Sequence, residues 1–480
     1  MAWRRRGYPV AGKQRERDLE LTCYGAAGEV TGSCHHLRVG SRQLLLDCGL
    51  FQGTREEEAR NARPLPFDPA AIDAVVLSHA HLDHCGRLPL LVRGGFRGPI
   101  HTHPVSIDLV RILLRDAAWL EAADVERENR RRAQRGKPPL QPLFEQADVD
   151  AVMRQMRPLP FGGRDEILPG ITVSLSQAGH ILGAASVLLD LQEGGVRRRL
   201  RYSGDIGPDG TALLPDPDPP AAADVVLMES TYGDRDHRSR DDTLDEIGRV
   251  LEAAWEDGGN LLVPSFAIGR TQEMLALFAQ HFERWQLGRG RICLDTPMAI
   301  EATAGHDRHA DQFHAGARAM IGTRRLQELL PNFHQTPDTA QSIRLNSVRS
   351  GAIIIAGSGM CTGGRILHHL ANNLARRQTD VMIIGYQGHG TLGRRLVDGA
   401  ERVRIHGNDI RVNARIHTIG GLSAHAGQSE LARWYAAIEG RPPVHLVHGE
   451  ARGRDGLAAK LRADCGVHAG LPGYGQTIPL

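Results

Sequence analysis

The stretch LSHAHLDHCG, residues 77–86, places three histidines and one aspartate within six positions, directly after the apolar run AIDAVV. His79 and His81 are two residues apart, so at the end of an extended strand they would share one face. Asp83 and His84 would follow on the next turn, so the four side chains form two pairs aimed at two points. Neutral imidazole and carboxylate favour zinc, with manganese and iron as alternatives, over calcium. The stretch therefore predicts ligands for two metal ions.

Three further side chains at predicted strand ends extend this set. They are His180 in SQAGHILGAAS, Asp205 in RYSGDIGP and His448 in VHLVHGEA. Taken singly, each has an ordinary interpretation, as a polar loop histidine, an Asx turn or a half-buried strand end. Together with the first stretch they give seven nitrogen and oxygen ligands, enough for two metals bridged by one carboxylate. His101 and His103 in PIHTHP are interpreted as an ordinary polar pair.

The elements that position these residues are short β-branched or leucine-rich runs separated by glycine turns. The runs are LELTCYG, HHLRVG, RQLLLDCG, DAVVLSH, ITVSLSQAGH, ASVLLDL and LRYSGDIG. Many short strands with few helices between them predict a β-sandwich covered by helices. Residues 105–157 differ because they are helical in pattern, charged and rich in arginine (VERENRRRAQRGKPP). We interpret them as an inserted helical arm with a break at Lys-Pro-Pro.

From about residue 233 the pattern changes to apolar strands that lead into glycine-rich turns and helices. NLLVPSFAIGRTQEMLALF and GAIIIAGSGMCTGGRILHHLANNL are examples. This βα pattern predicts a parallel, Rossmann-like sheet, and short strands return after residue 410. We therefore predict an α/β protein with a basic lead-in at residues 1–18 and the first part of the sandwich domain at residues 19–232. Residues 233–414 would form an inserted domain, and residues 415–480 would return to the sandwich.

The composition narrows the class of protein. The 480 residues are 41% hydrophobic and 24% charged, which is typical of a soluble globular chain of two or three domains. Lysine and arginine number 58 against 56 acids, so any nucleic-acid surface must be a local patch. The seven cysteines lack CxxC spacing, which favours reduced, buried thiols. Because no signal peptide and no run of 18 apolar residues is apparent, we expect a cytoplasmic protein without membrane contact.

Seven short motifs resemble those of one protein family. LLLDCG, SHAHLDHCG, GHILGAAS and SGDIG resemble, in order, the four signature motifs of the metallo-β-lactamase fold. MESTYGD, GGLSAHAG and LVHGEA resemble the three further motifs of its β-CASP branch, the nucleases that include RNase J and the endonuclease subunit of the eukaryotic pre-mRNA 3′-end processing complex. The resemblance spans roughly residues 19–480. It implies a metallo-β-lactamase αββα sandwich split around an inserted Rossmann-like β-CASP domain, in agreement with the pattern of elements.

The resemblance also implies a role for each candidate residue. It assigns His79, His81 and His180 to one zinc ion, Asp83, His84 and His448 to a second, Asp205 to a bridging position, and Asp47 to orienting a ligand. It further implies RNA hydrolysis by a hydroxide that bridges two Zn²⁺ ions, giving 5′-phosphate and 3′-hydroxyl products. The general acid would be His425, held by the carboxylate of Glu229. Asp83, Glu229 and His425 are thus the expected catalytic residues.

Substrate contacts are expected at two βα turns. In GSGMCTGG, residues 357–364, the backbone amides with Ser358 and Gly359 could cradle a phosphate, although a plain tight turn fits the pattern equally well. The counterpart of this turn in the family contacts the nucleic-acid backbone, which favours the first interpretation. Arg270 in SFAIGRTQE is a second candidate phosphate contact. A histidine in the third β-CASP motif, here His448, is typical of the RNA-acting members and favours single-stranded RNA.

Alternatives stay open at this point. Another binuclear zinc hydrolase, such as a small-ester or lactam hydrolase, would share the metal ligands but need neither Glu229 with His425 nor the inserted domain. A DNA nuclease or a small-molecule phosphodiesterase of the same fold is a further alternative. A catalytically silent RNA-binding relative would have lost ligands, whereas all seven are present here. The extra C-terminal domain of RNase J and the KH modules of many archaeal relatives are missing, so we expect a minimal prokaryotic ribonuclease. Endonuclease and 5′-exonuclease action, and a monomer and a homodimer, stay open.

Overall fold

The first part of the chain is dominated by short strands. The computed structural model describes residues 19–388 and 390–480, so the predicted lead-in at residues 1–18 lies outside the described residues. The strands are β1 (Leu19–Cys23), β2 (His35–Val39), β3 (Arg42–Leu46), β4 (Ala74–Val76), β5 (Ile100–Thr102), β6 (Met156–Pro158), β7 (Arg164–Leu168), β8 (Ile171–Gln177), β9 (Ala185–Glu193), β10 (Val196–Tyr202) and β11 (Val225–Glu229). Each of the seven runs predicted to be extended overlaps one of these strands.

The helices of this part cover one face of the strands and form the predicted arm. They are α1 (Arg55–Glu58), α2 (Leu82–Cys85), α3 (Leu88–Arg93), α4 (Pro104–Ala133) and α5 (Gln146–Gln155). Helix α4 begins with proline, whose fixed φ suits the first helical position. It ends shortly before the Lys-Pro-Pro sequence at residues 137–139, where proline cannot continue a helix. The helical arm predicted for residues 105–157 is therefore confirmed.

The middle of the chain is a second α/β unit. Its strands are β12 (Asn260–Pro264), β13 (Arg291–Leu294), β14 (Phe333–Gln335), β15 (Ala352–Ala356), β16 (Asp380–Ile383), β17 (Arg402–Ile405), β18 (Asn408–Arg411) and β19 (Arg415–Thr418). Its helices are α6 (Arg240–Asp257), α7 (Arg270–Gln280), α8 (Pro297–Arg308), α9 (Ala315–Ile321), α10 (Thr339–Leu345), α11 (Ile366–Asn373) and α12 (Leu392–Val397). Six of the strands form one parallel sheet in the order β14-β13-β15-β12-β16-β19. The last strand lies just past the predicted boundary at residue 414.

The central strands of this parallel sheet are buried along their whole length. All five residues of β12 and all five of β15 are inaccessible to solvent, because helices cover both faces. Continuous apolar runs such as AIIIA are what such a position requires. Strands β17 and β18 form a separate antiparallel pair at the edge of the unit.

The end of the chain returns to the first part. Strands β20 (Val444–Val447) and β21 (Thr477–Pro479) and helices α13 (Gln428–Ala436) and α14 (Ala451–Cys465) follow the middle unit. Strand β20 pairs with β11, and β21 pairs with β1. They complete a seven-stranded sheet, β21-β1-β2-β3-β4-β5-β6, and a six-stranded sheet, β20-β11-β10-β9-β8-β7.

The two completed sheets pack face to face around a common apolar core. In β8 every second residue is buried, beginning with Ile171 and Val173, and these side chains meet Leu19, Leu21 and Leu37 of the other sheet. This alternation is expected of strands that bury one face in a sandwich. Helices lie on the outer faces. The αββα sandwich with an inserted Rossmann-like domain is therefore confirmed.

The composition led to two expectations, one about the cysteines and one about membrane-spanning segments. All seven cysteines are buried and unpaired, as predicted from their spacing. Within residues 19–388 and 390–480, none of the helices combines the length and the apolar character that crossing a membrane requires.

A buried ionic network at Asp295 fastens the glycine-rich turn of residues 357–364. The Asp295 carboxylate, at the end of β13, accepts hydrogen bonds from Arg365 at 2.7 Å and from Nε2 of His369 at 2.6 Å. The next residue, Thr296, accepts a 2.7 Å bond from the amide of Gly357 through its hydroxyl. Both ends of the turn are thus attached to the end of β13.

Replacing Asp295 with asparagine is expected to lower the free energy of unfolding by about 2–4 kcal/mol at neutral pH, because Arg365 loses an ionised, buried partner. Burial alone would raise the pKa of Asp295, but hydrogen bonds from His369, Thr336 and Ser342 outweigh burial and lower it to about 2. A depressed folded-state pKa means that the stabilisation is complete above about pH 4 and is lost as the pH falls toward 2. Chemical denaturation should therefore show a smaller difference in the free energy of unfolding between the wild type and Asp295→Asn at about pH 3 than at neutral pH.

The matched control is Asp338→Asn, which changes an exposed carboxylate at the start of α10. Asparagine caps helices as well as aspartate does, so the expected change is within about 0.5 kcal/mol. A similar decrease in the free energy of unfolding in both variants would mean that the ionic network at Asp295 does not stabilise the fold more than an exposed carboxylate does.

Candidate metal centre

The first group of potential ligand atoms consists of three imidazoles and one carboxylate. Nδ1 of His81 lies 3.1 Å from Nε2 of His79 and 3.0 Å from Nε2 of His180. Oδ2 of Asp205 lies 3.5 Å from the Nε2 atoms of both His79 and His180. Donors bound tetrahedrally to one zinc ion are separated by roughly 3.3 Å. The group therefore has the spacing of ligands around a single ion.

Asp83, His84 and His448 form the second group. Nε2 of His448 lies 3.1 Å from Nε2 of His84 and 3.4 Å from Oδ2 of Asp83. Asp205 reaches this group as well, because its Oδ2 lies 3.3 Å from Nε2 of His84 and its Oδ1 lies 3.6 Å from Nε2 of His448. Asp205 is thus shared by the two groups, as a bridging carboxylate would be.

The protonation states of the first group fit a bound cation. Burial lowers the pKa of His79 and of His180 well below the ordinary value, and that of His81 to about 4, so these rings are neutral donors at neutral pH. Burial would raise the pKa of Asp205, but the facing histidines, His448 first, outweigh burial and hold that pKa well below its usual range. Oδ1 of Asp205 is buried and has no hydrogen-bond partner among the described residues. Neutral imidazoles around an ionised carboxylate are a donor set that zinc binds.

The second group carries an excess of negative charge. Burial lowers the pKa of His84, but Asp205, Asp83 and Asp47 outweigh burial and hold that pKa well above its ordinary value. Several carboxylates facing one buried ring are stabilised by a positive ion. Both groups therefore fit divalent metal ions.

Asp47 orients His84 from behind. Its Oδ2 lies 2.7 Å from Nδ1 of His84, so it accepts a hydrogen bond that directs Nε2 of the ring toward the metal centre. The carboxylate itself is held by the amide of Ser78 at 2.7 Å and by the hydroxyl of Tyr202 at 2.6 Å. This is the geometry expected for the orienting role predicted from the resemblance.

Two other ligand rings are oriented in the same way. Nδ1 of His180 lies 2.8 Å from the carbonyl oxygen of Ala424, which accepts its hydrogen bond. Nδ1 of His448 lies 3.0 Å from Oγ1 of Thr231. Because Ala424 and Thr231 lie in the loops around the middle unit, the two parts of the chain meet at the metal centre.

The backbone around the ligands is tightly packed and locally strained. Asp47 and His448 each follow a strand and have positive φ values of 61° and 49°. A Cβ atom at Gly49 would lie 1.6 Å from the carbonyl oxygen of Asp83, and one at Gly207 would lie 2.0 Å from that of Gly179. Only glycine permits these approaches, which bring the ligand-bearing loops together.

Glu229 and His425 form a pair at the edge of the metal centre. Nδ1 of His425 lies 3.1 Å from both carboxylate oxygens of Glu229, and 3.9 Å from Oδ2 of Asp205. Burial would lower the pKa of His425, but Glu229 outweighs burial and raises it to about 9. Nε2 of this ring has no protein partner among the described residues. The pair therefore leaves Nε2 of a charged imidazole available at the edge of the candidate metal centre.

The predicted substrate contacts lie in the middle unit and are partly engaged within the protein. The hydroxyl of Ser358 accepts hydrogen bonds from the amides of Thr362 at 2.9 Å and Gly363 at 3.1 Å, and Gly359 is buried. Arg270 begins α7, is 8% exposed and donates to the carbonyl of Leu422. The contacts of these residues with a phosphate stay predictions.

Several residues of the site are not apparent from the sequence. Tyr202 and Thr231 contact Asp47 and His448, and Nε2 of His237 donates a 2.8 Å bond to the carbonyl of His425. Their types are common, and only the place of Thr231 within MESTYGD, and the proximity of His237 to that motif and of Tyr202 to SGDIG, could have indicated a role. His103 stacks on Phe161, with ring centroids 4.0 Å apart, and is not part of either ligand group.

Three family models match successive parts of the chain. The model of the metallo-β-lactamase superfamily matches residues 27–225, and that of the β-CASP domain matches residues 271–396. The model of the Zn-dependent metallo-hydrolase RNA specificity domain matches residues 409–472. The order is that of a metallo-β-lactamase domain interrupted by a β-CASP domain.

Relatives that match almost all of this chain confirm this assignment. Ribonuclease TTHA0252 of Thermus thermophilus is 39% identical over 462 residues, which cover 96% of this chain and 100% of that protein. Transcription termination factor FttA of Thermococcus kodakarensis is 31% identical, over 97% of this chain and 72% of that protein. A crystal structure of a protein of unknown function from Enterococcus faecalis shares the fold, with a TM-score of 0.52 and 14% identity over 96% of this chain and all of that one.

Fold and site thus define a hydrolase of the metallo-β-lactamase superfamily. Within that class, the chain belongs to the β-CASP family of ribonucleases, as its seven motifs indicated.

Elemental analysis of protein purified in the presence of zinc is expected to give about two zinc ions per chain. His448→Ala should lower this content, because His448 belongs to the second group and not to the first. It should also reduce the stabilisation of the fold by added zinc. The matched control is His445→Ala, since His445 lies in the same strand but faces Gly470. A single zinc ion in the wild type, or the same loss in both variants, would contradict the assignment of two metal sites.

Proposed function

We propose that this chain is a zinc-dependent ribonuclease that hydrolyses phosphodiester bonds in single-stranded RNA and leaves 5′-phosphate and 3′-hydroxyl ends. The single observation that carries the proposal is the Glu229–His425 pair placed beside two metal-binding groups, because a generic binuclear hydrolase needs no such pair. A relative that matches the whole chain is named a ribonuclease, and one matching family model is described as an RNA specificity domain. Both support RNA as the substrate.

The proposed zinc ligands are the residues of the two groups. They are His79, His81, His180, Asp83, His84 and His448, with Asp205 shared and Asp47 orienting His84. Two zinc ions held there would act as Lewis acids that lower the pKa of a water molecule between them and polarise a phosphodiester. The protein keeps these groups in place through hydrogen bonds on the far nitrogens of the rings.

His425 is proposed to protonate the leaving 3′-oxygen of the RNA. Its Nδ1 is bound to the Glu229 carboxylate, which holds the ring in one orientation and favours its charged form. The proton on Nε2 is then the one available for transfer. Glu229 is itself held by a 2.6 Å hydrogen bond from the amide of Ile206, the residue next to Asp205. The Glu229 carboxylate therefore links the position of His425, the proposed acid, to that of Asp205, the carboxylate shared by the two groups.

The RNA backbone is proposed to contact the glycine-rich turn through Ser358 and Gly359, with Arg270 as a further contact. The network around Asp295 holds this turn rigidly, which suits a phosphate-binding role. Arg270 lines a cleft with Ser423, two residues before His425, so a phosphate there would lie near the loop that bears the acid.

His425→Ala is expected to slow cleavage of ordinary RNA by about 10²- to 10⁴-fold, because the 3′-oxygen leaves poorly without a proton. Zinc content and RNA affinity should persist. The loss should be much smaller on bis(p-nitrophenyl) phosphate, since p-nitrophenolate departs unprotonated. Rates of single-turnover cleavage measured on both substrates test this contrast.

Glu229→Gln should act through the same histidine, so the double variant should be little slower than His425→Ala alone. His334→Ala, which removes an exposed histidine of β14, is the matched control and should leave both rates unchanged. If His425→Ala lost zinc, or slowed both substrates equally, the residue would be a ligand or a scaffold and not the acid.

Ser358→Ala is expected to weaken RNA affinity by roughly 2- to 10-fold, or to shift the cleavage position, with zinc content unchanged. The reason is that the Ser358 hydroxyl holds the backbone amides of the turn in position and would itself contact a phosphate of the RNA. Filter binding and mapping of end-labelled products measure the two effects. Ser347→Ala, at an exposed serine with a local hydrogen bond, is the control. Unchanged affinity and unchanged products would assign the turn a purely structural role.

A further inference from the structure

A cleft of about 270 Å³ opens on the outer side of the inserted domain, away from the proposed catalytic groups. One wall is a face of α6 that includes Gly248, Arg249 and Trp255, and the other is the segment from Arg284 to Arg289. The lining residues Asp245, Gly248, Glu252 and Trp255 recur at spacings of three and four, which places them on the same side of the helix. We call this feature the tryptophan cleft, after Trp255 and Trp285.

The position of the tryptophan cleft relative to the metal centre follows from the course of α6. The helix starts beside the loop that carries His425, where a Cβ atom at Gly421 would lie 1.8 Å from Oγ1 of Thr243. The cleft residues Asp245 to Trp255 come roughly 8 to 22 Å further along the axis from Arg240. The cleft is therefore a separate site, joined to the catalytic loop by one continuous helix.

The floor of the cleft offers an unused hydrogen-bond donor. Trp285 is 4% exposed, and its Nε1 has no acceptor among the described residues. A Cβ atom at Gly248 would lie 3.1 Å from this nitrogen, so the lack of a side chain at residue 248 keeps the donor clear. A buried indole N–H normally has a partner, and here the acceptor would be an ordered water or a ligand atom on the side of the cleft.

The walls provide an aromatic surface and positive charge. Trp255 is half-buried, and its ring is fixed by a 3.3 Å hydrogen bond from its Nε1 to the carbonyl of Trp285. Three arginines face two acids, and one acid, Asp245, is paired with Arg284. Arg249 has no ion-pair partner in the part of the chain that the structure describes, and Arg289 has only a 3.4 Å contact with Gln286.

We propose that the tryptophan cleft binds one nucleotide of single-stranded RNA at a distance from the scissile bond. Proteins hold single strands by stacking bases on aromatic rings and by facing phosphates with arginines. In this cleft the half-buried Trp255 is the stacking surface, because Trp285 is only 4% exposed. The indole N–H would donate to the base or to the sugar. The volume suits a single nucleotide more than a larger ligand. This proposal rests on the proposed function, since it takes RNA as the substrate.

The test is a double charge reversal, Arg249→Glu with Arg289→Glu, at two exposed residues outside the catalytic groups. Affinity for a long single-stranded RNA is expected to fall about tenfold or more, because the arginine contacts with phosphate are lost and two new carboxylates repel the RNA backbone. Affinity for a short RNA that spans only the metal centre should be unchanged. Arg324→Glu, at an exposed arginine of the same domain outside the cleft, is the matched control and should resemble the wild type.

Ultraviolet crosslinking of the long RNA, followed by mass spectrometry of peptides, is expected to label the segment that contains Trp255 or Trp285. Equal affinity of the double variant and the wild type for the long RNA would overturn the proposal, as would an equal loss in Arg324→Glu. If adenosine 5′-monophosphate bound the cleft while RNA affinity did not depend on it, the cleft would be a mononucleotide site and the RNA proposal would be wrong.

These experiments distinguish failure of the cleft proposal from failure of the proposed ribonuclease function. A wild type that cleaves RNA while the cleft variants bind normally rejects only the cleft. A wild type that binds long RNA through the cleft but does not cleave it rejects the proposed ribonuclease activity and leaves the cleft in place.

Discussion

The structure depends on keeping an ionised, buried carboxylate among several imidazoles. Asp205 is 2% exposed and lies within 3.6 Å of four histidine nitrogens. Removing such a charge from water costs several kcal/mol unless its partners are fixed in place. The ligands therefore sit where strands end, because a sheet holds the position of each side chain more rigidly than a free loop does. The close approaches at Gly49 and Gly207 follow from the same requirement.

The same constraint explains why the loop that returns from the inserted domain lies against the candidate metal centre. The chain leaves the sandwich after Glu229, builds the parallel sheet and returns through the loop that contains Ala424 and His425. On its return this loop accepts a hydrogen bond from His180 and places His425 against Glu229. The orientation of one proposed metal ligand and the position of the proposed acid thus depend on one loop. Movement of the inserted domain would change both together.

Much of this could be predicted from sequence, because the ligands fall in short motifs at the ends of apolar runs. The strands, the helical arm and the domain insertion follow from local patterns that the fold preserves. The internal bonds of Ser358 and the burial of Arg270 could not be foreseen, because they depend on how a turn closes and on how two domains meet. The tryptophan cleft was missed for the same reason, since Trp255 and Trp285 are 30 residues apart and share no motif.

The charge of the protein limits how it can capture a polyanion. A net charge of +2 gives little long-range attraction, so affinity for RNA must come from a few local donors. Groups at the metal centre alone would contact only the RNA phosphates next to the scissile bond. Helix α6 has 18 residues, about 27 Å of stiff structure, and it connects the catalytic loop to the tryptophan cleft. An RNA strand bound both at the metal centre and in the tryptophan cleft would have to follow the length of this helix. The helix would then set the distance between the cleaved bond and the nucleotide held in the cleft.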